Sequence, residues 1–244
     1  MEVKADSANG NRKVMVESMF DSIAWRYDFL NHLLSFGVDR AWRRKAIRII
    51  SHKFTNPVIL DVATGTGDLA IAAMRIRPAG LTGIDLSANM LKIAGEKIGK
   101  KGLTGSIKLM QGDSENLPFG DGQFDVCMVA FGVRNFEDPL KGLTEMRRVL
   151  KPDGMILVLE FSKPTGFPFR NIYNFYFRRI LPLVGKIFSR DKSAYTYLPD
   201  SVYKFPDNEQ FLSLLRDSGF SSERQVKMTG GIASIYTALK KSVQ

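Results

Sequence analysis

The stretch ILDVATGTGDLA, residues 59–70, decides the fold. Its first half is a continuous apolar run that is typical of a buried strand, and Gly65 and Gly67 predict a tight turn from that strand into a helix. Glycines in such a turn let the backbone approach a ligand closely, and turns of this kind hold nucleotide-like cofactors. Residues 65–70 also satisfy a relaxed dinucleotide fingerprint, so the identity of the cofactor has to come from the surrounding residues.

From Pro57 onward, apolar segments alternate with amphipathic ones. Five segments read as buried strands separated by helices, which indicates a parallel sheet covered on both faces: VILDVA, LTGIDL, SIKLMQ, FDVCMVAF and MILVLEF. Two later segments, RQVKMT and IASIYTALK, are joined by a short link and predict antiparallel C-terminal strands at one edge. We therefore expect an α/β fold with a seven-stranded, mostly parallel sheet.

The 244 residues, 44% of them hydrophobic, suit one globular domain. Within it we expect a helical lid over residues 1–50 and a cofactor-binding α/β core over 51–162. An aromatic and basic insertion over 163–206 follows, and a helix with two strands over 207–244 completes the core. Asp39, Ser87 and Asp207 are the predicted N-caps of three helices.

Composition excludes several classes of protein. One cysteine and two histidines leave neither a disulfide framework nor a credible metal site. No apolar run approaches the roughly 20 residues that span a bilayer, and the first residues lack the apolar core of a secretory signal, so we expect a cytoplasmic protein. The net charge of +10 points to an acidic partner or merely to a basic surface. Because no nucleic-acid module is recognisable and the basic residues are scattered, we expect no nucleic-acid partner.

Acidic residues at the strand ends narrow the choice of cofactor. Asp85 ends the second strand, where a carboxylate can accept ribose hydroxyls, and Asp113 with Ser114 follows the third. These fit a nicotinamide dinucleotide or S-adenosylmethionine (SAM) equally well. Asp68 lies where a dinucleotide would place its diphosphate, so it favours SAM unless it only caps the helix. The predicted cofactor residues are Asp61, Thr64, Gly65, Thr66, Gly67, Asp68, Asp85, Asp113 and Ser114.

Four stretches together resemble one family. They are YDFLNHLLSFGVDRAW (27–42), LDVATGTGD (60–68), FGVRN (131–135) and RVLKPDGMILVLEFS (148–162). On these residues the chain is similar to the ubiquinone/menaquinone biosynthesis C-methyltransferases, which are class I SAM-dependent methyltransferases. Leu30, Asp39 and Asp153 replace the family's usual methionine, histidine and glycine, and Ala63 stands where many methyltransferases have a first glycine.

The resemblance implies a Rossmann-like class I methyltransferase fold and methylation of a ring carbon on a polyprenylated quinol. Demethylmenaquinol is the expected substrate; a benzoquinol of the ubiquinone pathway, or another small-molecule methyl acceptor, is the alternative. The family's pattern implies SAM contacts from Thr66, Asp85, Asp113 and Ser114. A nicotinamide-dependent oxidoreductase and an RNA methyltransferase stay open as rival functions on the residues alone.

A ring carbon becomes nucleophilic only when a neighbouring hydroxyl ionises, so we expect a group that stabilises the developing oxyanion. Arg134, followed by Asn135 at the end of the fourth strand, is the candidate, and an ordinary surface ion pair is the alternative. Tyr27 and Asp28 on the N-terminal helices are candidates for hydrogen-bonding the quinol, or else they serve helix packing and capping.

The insertion has the composition of a membrane-binding surface. Its aromatic residues could lie at headgroup level while its basic residues meet anionic lipid: Arg170, Arg178, Arg179, Lys186 and Arg190. The alternative is a lid whose aromatic residues are buried. We expect peripheral association with the inner face of the membrane, and the sequence leaves open whether the chain forms a homodimer.

Overall fold

The computed structural model describes residues 18, 19, 21, 35, 37–175 and 201–242, which form a sheet flanked by helices. The sheet has seven strands in the order β3-β2-β1-β4-β5-β7-β6. The strands are β1 Val58–Val62, β2 Gly80–Asp85, β3 Ile107–Gln111, β4 Phe124–Ala130, β5 Leu150–Phe161, β6 Ser221–Met228 and β7 Ala233–Leu239. Strands β1 to β5 are parallel, and β7 runs antiparallel to both of its neighbours. The predicted α/β sheet is confirmed, with the last strand inserted between β5 and β6.

Helices cover both faces of the sheet. They are α1 Asp39–Lys53, α2 Asp68–Ala73, α3 Ala88–Lys100, α4 Pro139–Val149, α5 Phe169–Phe175 and α6 Glu209–Asp217. Because successive strand residues point to opposite faces, neighbours such as Cys127 and Met128 belong to different cores. One core packs under α1, α2 and α3, and the other under α4 and α6. No helix in the described part of the chain is long and apolar enough to cross a membrane.

Of the three predicted N-caps, only Ser87 is confirmed, since its hydroxyl accepts the Met90 amide at 3.1 Å. Helix α1 begins at Asp39 itself, after Val38, and the buried Asp39 carboxylate pairs with Arg43 one turn later instead of capping. Asp207 also fails as a cap, because its carboxylate accepts the backbone amide of Lys163 at 2.6 Å.

The start of the insertion packs on the core. In α5, Tyr173 is buried, and Phe169 lies so close to Gly230 that a Cβ added there would stand 2.2 Å from its ring. Gly230 belongs to the short turn between β6 and β7, whose Thr229 hydroxyl accepts the indole N–H of Trp42 at 2.8 Å. Residues 176–200 of the insertion lie outside the described residues.

The residues that follow β1 and β4 have an unusual backbone conformation. Ala63 after β1 and Phe131 after β4 both adopt the left-handed region, with φ of 51° and 58°. That region is disfavoured for residues with a Cβ, so surrounding contacts have to hold it in place. Gly132 is required beside them, because a Cβ there would stand 2.7 Å from that of Ala63. The two strand ends are thus held in close contact, and the candidate site lies between them.

Candidate functional site

A crevice opens at the carboxyl ends of β1 and β4, where the strand order reverses. Its empty space measures about 330 Å³, including the part that is open to solvent, and it is lined by Arg43, Asp61, Ala63, Thr64, Gly65, Thr66, Asp68, Leu69, Ala130 and Phe131. Ligands of doubly wound sheets bind at such a reversal point. Five of the predicted cofactor residues line this crevice, and Gly67 lies in the same turn with φ of 80°.

Asp85 at the end of β2 holds the glycine turn in place. One oxygen of its carboxylate accepts the amide of Gly65 at 2.7 Å, and the other accepts the amide of Ser87 at 2.9 Å. Burial raises the pKa of Asp85, and these backbone hydrogen bonds oppose the rise. Because a carboxylate oxygen can accept more than one hydrogen bond, both oxygens retain capacity for ligand hydroxyls.

Asp61 at the end of β1 is a buried carboxylate that lacks one hydrogen bond. Its Oδ2 accepts the Thr64 hydroxyl at 2.7 Å, whereas its Oδ1 is buried and has no donor within hydrogen-bond distance in the part of the chain that the structure describes. Burial raises the pKa of Asp61 to about 7, outweighing the opposing effects of the Thr64 hydroxyl and the backbone amide of Ala70. A buried acceptor without a donor is costly, and a cationic ligand group in the crevice would satisfy it. The site therefore fits a ligand that carries an ammonium group.

Asp68 is not the isolated acid that the sequence suggested. Its carboxylate pairs with Lys97 and lies 3.5 Å from the guanidinium of Arg43. Lys97 also donates to the Thr66 hydroxyl at 3.1 Å. Asp68 is the first residue of α2, after the N-cap Gly67. Because two cations neutralise Asp68, its charge alone would not repel a diphosphate, and Asp61 replaces it as the residue that indicates the ligand's charge.

Asp113 and Ser114 lie in the turn after β3, where both are partly buried. The Asp113 carboxylate accepts the amide of Glu115 at 2.9 Å and so orders its own turn. Neither residue lines the crevice between β1 and β4. Since β3 neighbours β2, this turn ends on the same edge of the sheet as Asp85. A contact of these two residues with a cofactor stays a prediction.

Arg134 is neither a surface residue nor a residue of the crevice wall. Its buried guanidinium pairs with Glu160 at 2.7 Å and donates to the carbonyl of Phe131 at 2.5 Å. It also lies over the ring of Phe161, at 5.6 Å from the centroid. Asn135 donates to the same Phe131 carbonyl at 3.4 Å. The alternative of a surface ion pair is therefore wrong, and the position of Arg134 instead fixes the backbone of Phe131.

The N-terminal part of the chain contributes to the site through α1. Trp42 packs against Phe131 and Phe161, with ring centroids 6.3 and 6.2 Å away, and the three buried rings form an aromatic cluster behind Phe131, which lines the crevice. Arg43 reaches the crevice itself. Sequence reasoning missed the roles of Arg43 and Lys97, because no local pattern links α1 or α3 with the glycine turn. Tyr27 and Asp28 lie outside the described residues.

Comparison with known proteins identifies related chains over nearly the whole length. Residues 6–240 match the model of the ubiE/COQ5 methyltransferase family. A demethylmenaquinone methyltransferase of Bacteroides fragilis is 44% identical over 240 residues, which are 98% of both chains. The ubiquinone/menaquinone biosynthesis C-methyltransferase UbiE of Geotalea daltonii is 46% identical over 227 residues, or 92% of this chain and 96% of the relative.

Solved structures confirm the fold. The chain is similar to a SAM-dependent methyltransferase of Thermotoga maritima, described as a possible histamine N-methyltransferase, with a TM-score of 0.65. The match covers 93% of this chain and all of that one at 17% identity, so it speaks for the architecture alone. The Rossmann-like class I methyltransferase fold is thereby confirmed.

The raised pKa of Asp61 predicts a specific pH dependence of stability. The native state keeps this proton up to about pH 7, whereas the unfolded chain loses it near 3.8, so the free energy of unfolding falls as pH rises between these values. In Asp61→Asn this penalty is absent. As pH rises from 5 to 8, we expect the free energy of unfolding of the variant to increase by roughly 2–3 kcal/mol relative to that of wild type. Urea unfolding at each pH measures this difference.

The matched control for that experiment is Asp217→Asn, which removes an exposed carboxylate. The free energy of unfolding is plotted against pH for Asp61→Asn and for wild type. If the two plots stay parallel from pH 5 to pH 8, the Asp61 carboxyl is ionised throughout this range and the prediction is wrong.

The pair of Arg134 and Glu160 predicts a second outcome. Arg134→Met leaves a buried carboxylate without its cation, which typically costs about 3–5 kcal/mol, so we expect a strong loss of stability in urea unfolding. The double variant Arg134→Met/Glu160→Gln removes the stranded charge and should recover most of that loss. A single variant as stable as wild type would contradict the buried pair and leave Arg134 available to a substrate.

Proposed function

Because the chain belongs to the ubiE/COQ5 methyltransferase family, we propose that it methylates a ring carbon of a polyprenylated quinol, converting demethylmenaquinol to menaquinol with SAM as methyl donor. The observation that carries the proposal is the match over 98% of the chain to a relative named demethylmenaquinone methyltransferase. The family and the fold support the use of SAM.

The donors and acceptors around the crevice suit SAM. The unsatisfied Oδ1 of Asp61 is an acceptor for an ammonium group, and Asp85 can accept ribose hydroxyls. Asp113, in the turn after β3, is the proposed acceptor for the adenine amino group, with Ser114 beside it. When bound, SAM supplies an electrophilic methyl group on its sulfonium.

The chain's own contribution is to position the ring carbon and exclude water. Correct positioning of two reactants can supply about 7–11 kcal/mol of the barrier, without any covalent intermediate. Trp42, Phe131 and Phe161 pack on one another as a buried aromatic cluster at the reactive ends of β4 and β5, and this cluster supports the backbone around the crevice. Arg134 holds the Phe131 carbonyl and so fixes this cluster, which makes it a positioning residue in the proposal.

Tyr27 and Asp28 remain the candidates for hydrogen-bonding the quinol hydroxyls. The relatives carry names that refer to menaquinone or to both menaquinone and ubiquinone, so a benzoquinol is the alternative substrate.

A direct assay tests the activity. Purified protein is incubated with SAM carrying a deuterated methyl group and with reduced demethylmenaquinone or, separately, reduced demethylated benzoquinone of equal tail length. We expect mass spectrometry of the extracted lipid to find the labelled methyl on the ring carbon of the naphthoquinol.

Asp85→Ala is the variant for that assay, because it removes the acceptor proposed for the ribose. We expect the KM for SAM to rise by about 10-fold or more for each hydrogen bond between the Asp85 carboxylate and a ribose hydroxyl that the variant loses. Label on an oxygen atom, or methylation of the benzoquinol alone, would contradict the proposed substrate.

We further propose that the insertion docks on an anionic membrane surface, where a polyprenylated substrate resides. Four aromatic side chains of the segments that flank residues 176–200 are exposed: Phe167 at 85%, Phe169 at 38%, Phe175 at 61% and Tyr203 at 43%. Arg170 among them is exposed as well. Aromatic rings beside basic groups suit the headgroup region, and the net charge of +10 favours an anionic surface.

Co-sedimentation with vesicles tests this docking. We expect binding to vesicles of phosphatidylglycerol and phosphatidylcholine at low salt, and loss of that binding at high salt. Phe167→Ala/Phe175→Ala should weaken it by about 10-fold, because two rings leave the apolar region. Met110→Ala, which removes a side chain 40% exposed on β3, is the control. Equal binding of both variants to the vesicles would refute the docking surface.

A further inference from the structure

We propose that Arg43 is the binding residue for the α-carboxylate of SAM and that Asp39 holds it in position. This inference rests on the proposed use of SAM and deepens it. Arg43 lies on α1, outside every stretch that the glycine turn or the strand ends single out, yet it lines the same crevice as Asp61.

The first observation is an unsatisfied donor. Arg43 is 7% exposed, and its Nε is buried without a hydrogen-bond acceptor in the described part of the chain. A buried N–H without an acceptor costs about 1–3 kcal/mol, more for a charged group. The crevice thus contains a donor that lacks an acceptor, on Arg43, and an acceptor that lacks a donor, on Asp61.

The second observation is that the guanidinium is held rigidly from its other side. Its Nη1 pairs with Asp39, whose carboxylate is fully buried and also accepts the Ser35 hydroxyl at 2.8 Å. The guanidinium lies over the Phe131 ring at 5.8 Å from the centroid and 3.5 Å from Asp68. A guanidinium fixed in this way loses little conformational entropy when Nε binds a carboxylate.

The third observation is charge complementarity. The predicted cofactor residues supply four carboxylates and no cation, so they can receive the cationic groups of SAM but offer its carboxylate only neutral donors. Among the described residues that line the crevice, Arg43 is the only cation. An amino acid end carries one ammonium and one carboxylate, and it would satisfy the Oδ1 of Asp61 and the Nε of Arg43 together.

Isothermal titration with SAM and with decarboxylated SAM tests the assignment without any methyl acceptor. The two ligands differ only in the α-carboxylate. We expect wild type to bind SAM about 10- to 150-fold more tightly, the range of one charge-assisted hydrogen bond. Arg43→Met should bring the two affinities within about 3-fold of each other by weakening SAM alone. The control Arg44→Met, an exposed arginine on the same helix, should keep the preference.

Arg43→Met leaves the Asp39 carboxylate buried without its cation, so the same ratio is also measured in Arg43→Met/Asp39→Asn, which removes both charges. Loss of the preference for SAM in either variant supports the assignment. Wild type that binds both ligands equally, or variants that weaken both ligands equally, would overturn it while leaving the proposed function intact. Wild type that binds neither ligand would overturn the use of SAM, and the inference with it.

Discussion

The parallel pairing of β1 with β2 on one side and β4 on the other is the constraint on which the site depends. It brings the carboxyl ends of three strands together, and with them Asp61, Asp85 and Phe131. The chain leaves two of these strands through left-handed backbone at Ala63 and Phe131. A Cβ on Gly83 of β2 would stand 2.9 Å from the Thr64 hydroxyl oxygen. Close packing of the backbone therefore determines the position and shape of the crevice.

Buried charges around these strand ends serve two different purposes. Glu160 and Arg134 satisfy each other and the Phe131 carbonyl, so their pair orders the end of β4. Burying such a pair gives little stability compared with apolar residues, which suggests that it is kept for the geometry it imposes. Asp61 and Arg43 differ, because each retains a buried atom without a partner among the described residues. Unsatisfied groups of opposite charge in one crevice indicate a ligand that carries both.

The sequence predicted those features whose cause is local. Strand periodicity and the glycine turn determine the sheet, and the Ser87 cap needs only the amide three residues later. Features that depend on distant partners were misjudged. Asp39 was predicted to cap α1, but its carboxylate contacts Arg43 and Ser35 instead, and the surface ion pair considered for Arg134 is a buried pair with Glu160. A role of Arg134 towards the substrate stays a prediction. The roles of Tyr27 and Asp28 stay predictions, because they lie outside the described residues.

The proposed preference for SAM over a dinucleotide rests on the summed charge of the crevice rather than on Asp68 alone. Asp68 and Asp39 are balanced by Lys97 and Arg43, so these four residues together are neutral. Asp61 adds a negative charge when it ionises, and burial, the largest of the effects on it, raises its pKa to about 7. A ligand with net positive charge lowers the pKa of Asp61 and gains a charge-assisted hydrogen bond from its carboxylate. A diphosphate instead brings further negative charge, and among the described residues the Nε of Arg43 is the one unsatisfied donor of the crevice that it would meet. This balance of charge supports the proposed use of SAM rather than of a dinucleotide.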